Sequence, residues 1–227
     1  MKMKQLAVAG VAISLLSSAQ AWGAAISVNY DVSGTSTPAL APIDVAGVVP
    51  VANWNNLTAS GVGQTFDYGM TYVDDSGAAT SLTVAASSGT GDTWNTIGIP
   101  DEIIFGDKSN WAGGSQTLTL SNIPYAIYDL YIYSTEWGSE VVNFTIGENT
   151  QTLTNTFTPQ FNGGPNFVQN DTYVKFTGLS GGVVVSMNAT SGGLHLGGFQ
   201  IVEAIPEPSI LGLLAFAPVL AFRRRRA

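Results

Sequence analysis

The chain has 227 residues, room for one ordinary domain plus terminal signals, and charged residues make up 11% of it, against about 25% in typical soluble domains. Its 45% hydrophobic residues suffice for a packed core, and the absence of cysteine excludes disulfides, thiolate metal sites and cysteine nucleophiles. Charge is segregated: residues 22–205 carry two basic residues against 15 acidic ones, a net of −13, so this body repels nucleic acid and anionic lipid.

The first 21 residues read as an export signal. Lys2 and Lys4 form a positive start, residues 6–16 are an apolar run, and Ala19-Gln20-Ala21 is the small-x-small pattern that signal peptidase requires. The expected cut follows Ala21, with Ala25 as the alternative.

From residue 26 to 203 short runs alternate with period two between clusters of Gly, Asn, Asp and Pro. The clearest span 115–120, 127–133, 141–146, 172–177 and 182–187; weaker ones span 26–31, 63–68, 81–86, 150–157 and 198–202. Roughly ten strands without a long helical pattern predict an all-β, antiparallel β-sandwich, with one short helical turn over 100–105. Alternation also assigns faces. Leu118, Leu120, Phe144, Ile146, Val174, Phe176, Val183, Val185 and Met187 point inward. Tyr128, Leu130 and Ile132 share one face and Tyr131 and Tyr133 the other. That strand is apolar on both sides, so it is expected to be central, its second face covered by a loop or open to a ligand.

Several stretches are similar to a module that recurs in exported bacterial proteins. They are Ala46-Gly-Val-Val-Pro, Asn53-Trp-Asn-Asn-Leu, Asp75-Ser-Gly-Ala, Tyr128-Asp-Leu-Tyr-Ile-Tyr and Gly198-Phe-Gln-Ile-Val. That module resembles a galactose-binding-like jelly roll, and the resemblance implies this fold without any catalytic residues.

Chemistry is thinly marked. His195 is the sole histidine, and no G-x-S-x-G places Ser186 or Ser191 beside it. No acidic pair stands out for glycoside hydrolysis, so the body reads as non-enzymatic. Asp31, Asp74, Asp75 and Asp171 lie in expected turns and are candidates for a structural calcium, although no EF-hand spacing is present. Trp54, Trp94, Trp111 and Trp137 sit in Gly-, Asn- and Ser-rich contexts. An exposed indole offers a flat apolar surface to a sugar ring. Trp111 and Trp137, with Tyr131 and Tyr133, are the carbohydrate-binding candidates, whereas Trp54 reads as a plug. Thr150, Thr152, Thr154, Thr156 and Thr158 alternate without a break. Flat threonine arrays order water on ice-binding surfaces, but those need several rungs, and only Thr117 and Thr119 offer a second here. The expectation is a polar outer face on one strand.

The chain closes on Pro206-Glu207-Pro208-Ser209, an apolar run over 210–222, and Arg223, Arg224, Arg225 and Arg226. Thirteen apolar residues make a helix of roughly 20 Å, short of the ~30 Å hydrocarbon core, so this is expected to be a transient membrane segment with its arginines held cytoplasmic. The motif resembles the PEP-CTERM sorting signal of bacterial envelope proteins. That resemblance implies processing by an exosortase near Pro206, Glu207, Pro208 and Ser209, retention by the arginines until the cut, and delivery to the cell envelope or an exopolysaccharide matrix. Two prolines hold the motif extended, as a protease cleft requires. Three readings of the body follow: an exported polysaccharide-binding module, a structural matrix protein with no discrete ligand, and a secreted hydrolase.

Overall fold

The computed structural model describes residues 23–87, 89–93, 99–111, 115–134, 140–155 and 167–205. The strands in chain order are β1 (Ala25–Val32), β2 (Asn55–Ala59), β3 (Thr83–Ala86), β4 (Thr90–Thr93), β5 (Asp107–Trp111), β6 (Ser115–Ser121), β7 (Tyr128–Tyr133), β8 (Glu140–Ile146), β9 (Asn149–Asn155), β10 (Tyr173–Leu179), β11 (Val183–Ser191), β12 (Leu194–Leu196) and β13 (Gly198–Glu203). One helix, α1 (Pro100–Gly106), separates β4 from β5. It starts where expected: proline suits the first helical position, and Asp101 and Glu102 place negative charge in the first turn.

Two five-stranded sheets, ordered β10-β7-β13-β1-β2 and β3-β6-β11-β8-β9, accompany a three-stranded sheet ordered β12-β5-β4. Taking β1, β6, β7, β8, β9, β10, β11 and β13 as first to eighth, the larger sheets contain the orders first-eighth-third-sixth and second-seventh-fourth-fifth. That order is a jelly roll, with every neighbouring pair among the eight antiparallel. β2 adds to it as a parallel edge beside β1, and β3 as an edge beside β6.

The alternation seen in the sequence becomes the interior. Leu118, Leu120, Phe144, Val174, Phe176, Val185 and Met187 are buried in one cluster with Tyr128, Leu130 and Ile132, while Ile146 and Val183 pack at its margin. Between the two sheets these side chains leave water, each contributing about 1.5–3 kcal/mol when fully buried. β7 is central, between β10 and β13, and its other face is also buried. Tyr131 and Tyr133 join a second cluster with Leu40, Val49, Trp54, Ile103, Ile104 and Phe105. Residues 40–54 and α1 therefore form a cover over the outer side of the first sheet.

Some expectations fail. Residues 63–68 form no strand; only single bridges occur there, Ala59 with Phe66 and Thr65 with Thr90. Conversely, β2, β4, β5 and β12 appear where no period-two run was evident. Their sequences, Asn-Asn-Leu-Thr-Ala, Thr-Gly-Asp-Thr, Asp-Lys-Ser-Asn-Trp and Leu-His-Leu, are polar or very short, and partners distant in the chain define them.

The molecule has two poles. β1 starts against the end of β13, with Ala25 opposite Val202 and the Glu203 amide donating to the Ala24 carbonyl at 2.8 Å. At the other end Tyr133 lies opposite both Gly198 and Tyr173, and Glu140 lies opposite Asn155. Both ends of the described body thus leave from one pole, and the connections that follow β7 and β9 leave from the other.

Candidate functional site

The tyrosines proposed for sugar binding are packing residues. Tyr131 and Tyr133 are 2% and 0% exposed, so neither presents a ring face, and the expectation is corrected. The reason lies in the cover. The Tyr133 ring meets Trp54, Phe105, Phe167 and Tyr173 at centroid distances of 5.5–6.3 Å. Its hydroxyl accepts from the Val48 amide at 2.9 Å and donates to Gln200 Oε1. Gln200, wholly buried, also accepts from the Val49 amide and donates to Ser27 Oγ and the Val49 carbonyl. Burial pushes the Tyr133 hydroxyl well above its ordinary pKa, so it stays neutral. Tyr131 carries Lys175 Nζ 4.9 Å above its ring, and Lys175 reaches Asp129 at 2.9 Å. Burial works against that ammonium, but its bonds to Asp129 and Tyr131 prevail and raise its pKa.

The Asn53-Trp-Asn-Asn motif is joinery. Trp54, 5% exposed, donates its indole N–H to the Val51 carbonyl at 3.0 Å and fills the cover, as a plug should. Asn53, at φ 56°, donates to the Asp75 carbonyl; asparagine tolerates that left-handed backbone. Asn55 binds the Ser27 and Val73 carbonyls and the Val73 amide. Asn56 binds both the amide and carbonyl of Leu40. Three side-chain amides thus replace backbone partners between segments far apart in sequence.

Beneath the loop pole lies a group of buried ionisable residues. Glu140, 6% exposed, accepts from the Gly193 amide and places Oε2 3.7 Å from His195 Nδ1. Lys108, 1% exposed, lies 3.9 Å from Asp92. Burial first, then repulsion from Lys108, lowers the His195 pKa to about 3, so the imidazole is neutral at ordinary pH. Neither serine considered as its partner makes a catalytic pair. Ser191 Oγ accepts from the Val141 amide at 3.2 Å, and Ser186 is exposed on the outer side of the second sheet. A third serine, Ser134, donates to the His195 carbonyl rather than to its ring. Through its backbone, opposite Asn110 and accepting from Ser134, His195 joins β5 to the residue that follows β7.

The calcium candidates are dispersed. Asp74 Oδ1 already accepts from the Ser76 amide and hydroxyl and the Ala78 amide at 2.6–3.0 Å, and these bonds, the Ser76 side chain first, lower its pKa. Asp75 Oδ1 accepts from the Ala25 amide. Asp31 lies six residues further along β1, roughly 20 Å away at 3.3 Å per residue, and Asp171 sits in the turn before β10. Among the described residues no group of three or more His, Asp or Glu side chains could hold a metal ion.

Trp111 is placed by its backbone, opposite Leu194 at the loop pole. Trp94 and Trp137 lie outside the described residues, as do Ala21, Pro206, Glu207, Pro208, Ser209, Arg223, Arg224, Arg225 and Arg226. The described residues contain no helix long and apolar enough to cross a membrane.

No protein-family model matches the chain, and no curated protein matches it. Among solved structures it is similar to TmCBM61 in complex with beta-1,4-galactotriose, at 10% identity and a TM-score of 0.26, over 54% of this chain and 84% of that one. So slight a likeness carries no weight for ligand or mechanism. The jelly roll rests on the strand order itself.

Proposed function

We propose that this chain is an exported, non-catalytic jelly-roll module that binds polysaccharide at its loop pole and is sorted to the cell envelope or extracellular matrix through its terminal signal. The observation that carries this reading is polarity. The segments that follow Trp111, Ser134 and Asn155 all depart from strand ends at one pole; Trp111 is the last residue of β5 there, and Trp137 follows Ser134 in sequence. The described body begins and ends at the opposite pole. A body tethered by its tail would hold the tryptophan segments away from the membrane. Indole faces supply the apolar stacking surface that sugar rings need, and neighbouring Asn, Ser and Gly supply hydrogen bonds. Signal peptidase and an exosortase are the processing partners of this proposal.

Retention of the protein on immobilised glycans, including exopolysaccharide from the producing cells, tests the binding part. Trp111→Ala and Trp137→Ala are expected to reduce retention; equal retention of both variants and the parent, or none by any, overturns it. A matrix protein without a ligand would show the second result while its deletion still altered biofilm.

A further inference from the structure

The outer side of the second sheet belongs to none of this. Its central rows run across strands. Thr117 lies opposite Ser186, Ser186 opposite Thr145, and Thr145 opposite Thr150. In the next row Asn188 lies opposite Asn143, and Asn143 opposite Thr152. Thr154 and Thr119 extend the same face on either side. Half of the outward positions on these five strands are threonine, and none is charged or aromatic, in a chain with 16 acidic residues. Pairing supplies a further rung beyond Thr117 and Thr119, because β9 and β8 bring Thr150 and Thr145 side by side.

The rows are already braced. Strands lie about 4.8 Å apart, and outward residues recur about every 6.8 Å along each. Thr145 and Thr150 hydroxyls are 2.9 Å apart, and the Thr152 hydroxyl donates to Asn143 Oδ1 at 2.8 Å. These contacts hold the side chains in place before anything binds.

The chemistry eliminates most occupants. An anionic polymer finds no cation here, and a sugar ring finds no aromatic platform. An apolar surface would strip the hydroxyls of water, at a cost. An ordered lattice of water meets none of these objections. Each threonine hydroxyl both donates and accepts, and the adjacent methyl leaves surrounding water to bond to itself. We infer that this threonine face binds the surface of ice.

The test uses protein recovered from cells expressing the full-length chain, with ice itself as the probe. In slow directional freezing the parent is expected to partition into ice and to retard recrystallisation. Ser186→Lys and Thr152→Lys put a charge at the centre of the face on exposed positions that a fold tolerates, and are expected to abolish both effects. Thr177→Lys, exposed on β10 in the other sheet, should keep them. Exclusion of the parent from ice, as for an inert protein, overturns the inference. So does undiminished activity in Ser186→Lys and Thr152→Lys, or an oligomer that those variants dissociate while ice partitioning stays unchanged.

Discussion

A buried side chain with polar atoms is informative because each atom must find a partner. Tyr133 shows this: its ring packs in the second cluster while its hydroxyl links the Val48 amide to Gln200. Tyr133→Phe keeps the ring but leaves that amide and the Gln200 oxygen short of a bond, and is expected to cost about 1–3 kcal/mol in chemical denaturation. An unchanged midpoint would show that water replaces the hydroxyl. His195 is expected to contribute to the acid limb of the stability profile. Its pKa is about 3 in the fold against 6.5 for a free histidine, so between those values the unfolded chain holds the extra proton. Stability therefore falls as pH drops from about 6.5 towards 3 and levels off below. One group contributes at most about 1.4 kcal/mol per pH unit. Glu140, Lys108 and Asp92 surround it, and His195→Gln should flatten the slope between pH 6 and 4. An identical slope in the variant would assign the acid sensitivity to the carboxylates. The surroundings of His195 could not be read from Gly-Leu-His-Leu-Gly, because they come from β4, β5 and β8.

At the scale of elements, strands with strong alternation were legible and strands without it were not. β6, β7, β8, β10 and β11 appear close to where period two placed them, since one apolar face must be buried whatever else happens. β5 shows no apolar alternation in its sequence, and the buried face of β2 holds only Leu57 and Ala59 beside Asn55, too short a run to stand out. β2 is fastened beside β1 by Asn55, which donates to the Ser27 carbonyl, and by Asn56, which accepts from Asn29, and asparagine-rich sequence otherwise reads as turn. The junction of β12 and β13 is equally tertiary. A Cβ on Gly198 would meet the Val28 carbonyl oxygen at 2.4 Å, and one on Gly197 the Ile104 carbonyl oxygen at 2.1 Å. Gly198→Ala is therefore expected to destabilise by about 1–3 kcal/mol through overpacking against β1, read as a lower denaturant midpoint. A neutral result would mean that β1 and β13 can separate without loss.

At the scale of the whole molecule, the opposed poles make the sorting proposal testable. Ala24 and Glu203 are hydrogen-bonded neighbours, so the two ends of the described body lie side by side. Mass spectrometry of the mature protein should find a C-terminus near Pro208 and no Arg223–Arg226. An intact arginine cluster would leave a simple anchor. The candidate site divides in the same way as the fold: the tryptophans were conspicuous in sequence by composition, whereas the placement of Trp111 at one pole came from its pairing with Leu194.

The sequence by itself determined the sandwich, its inward faces and the central place of β7, because period two is a local signal that survives any arrangement of the strands. Only the tertiary structure decided which surfaces stay free. Residues 40–54 and α1 cover Tyr131 and Tyr133 and remove them as a ligand platform, while β6, β11, β8 and β9 set scattered threonines into one face. Both outcomes depend on which residues meet across tens of positions in the chain, and strand pairing, unlike alternation, leaves no local trace.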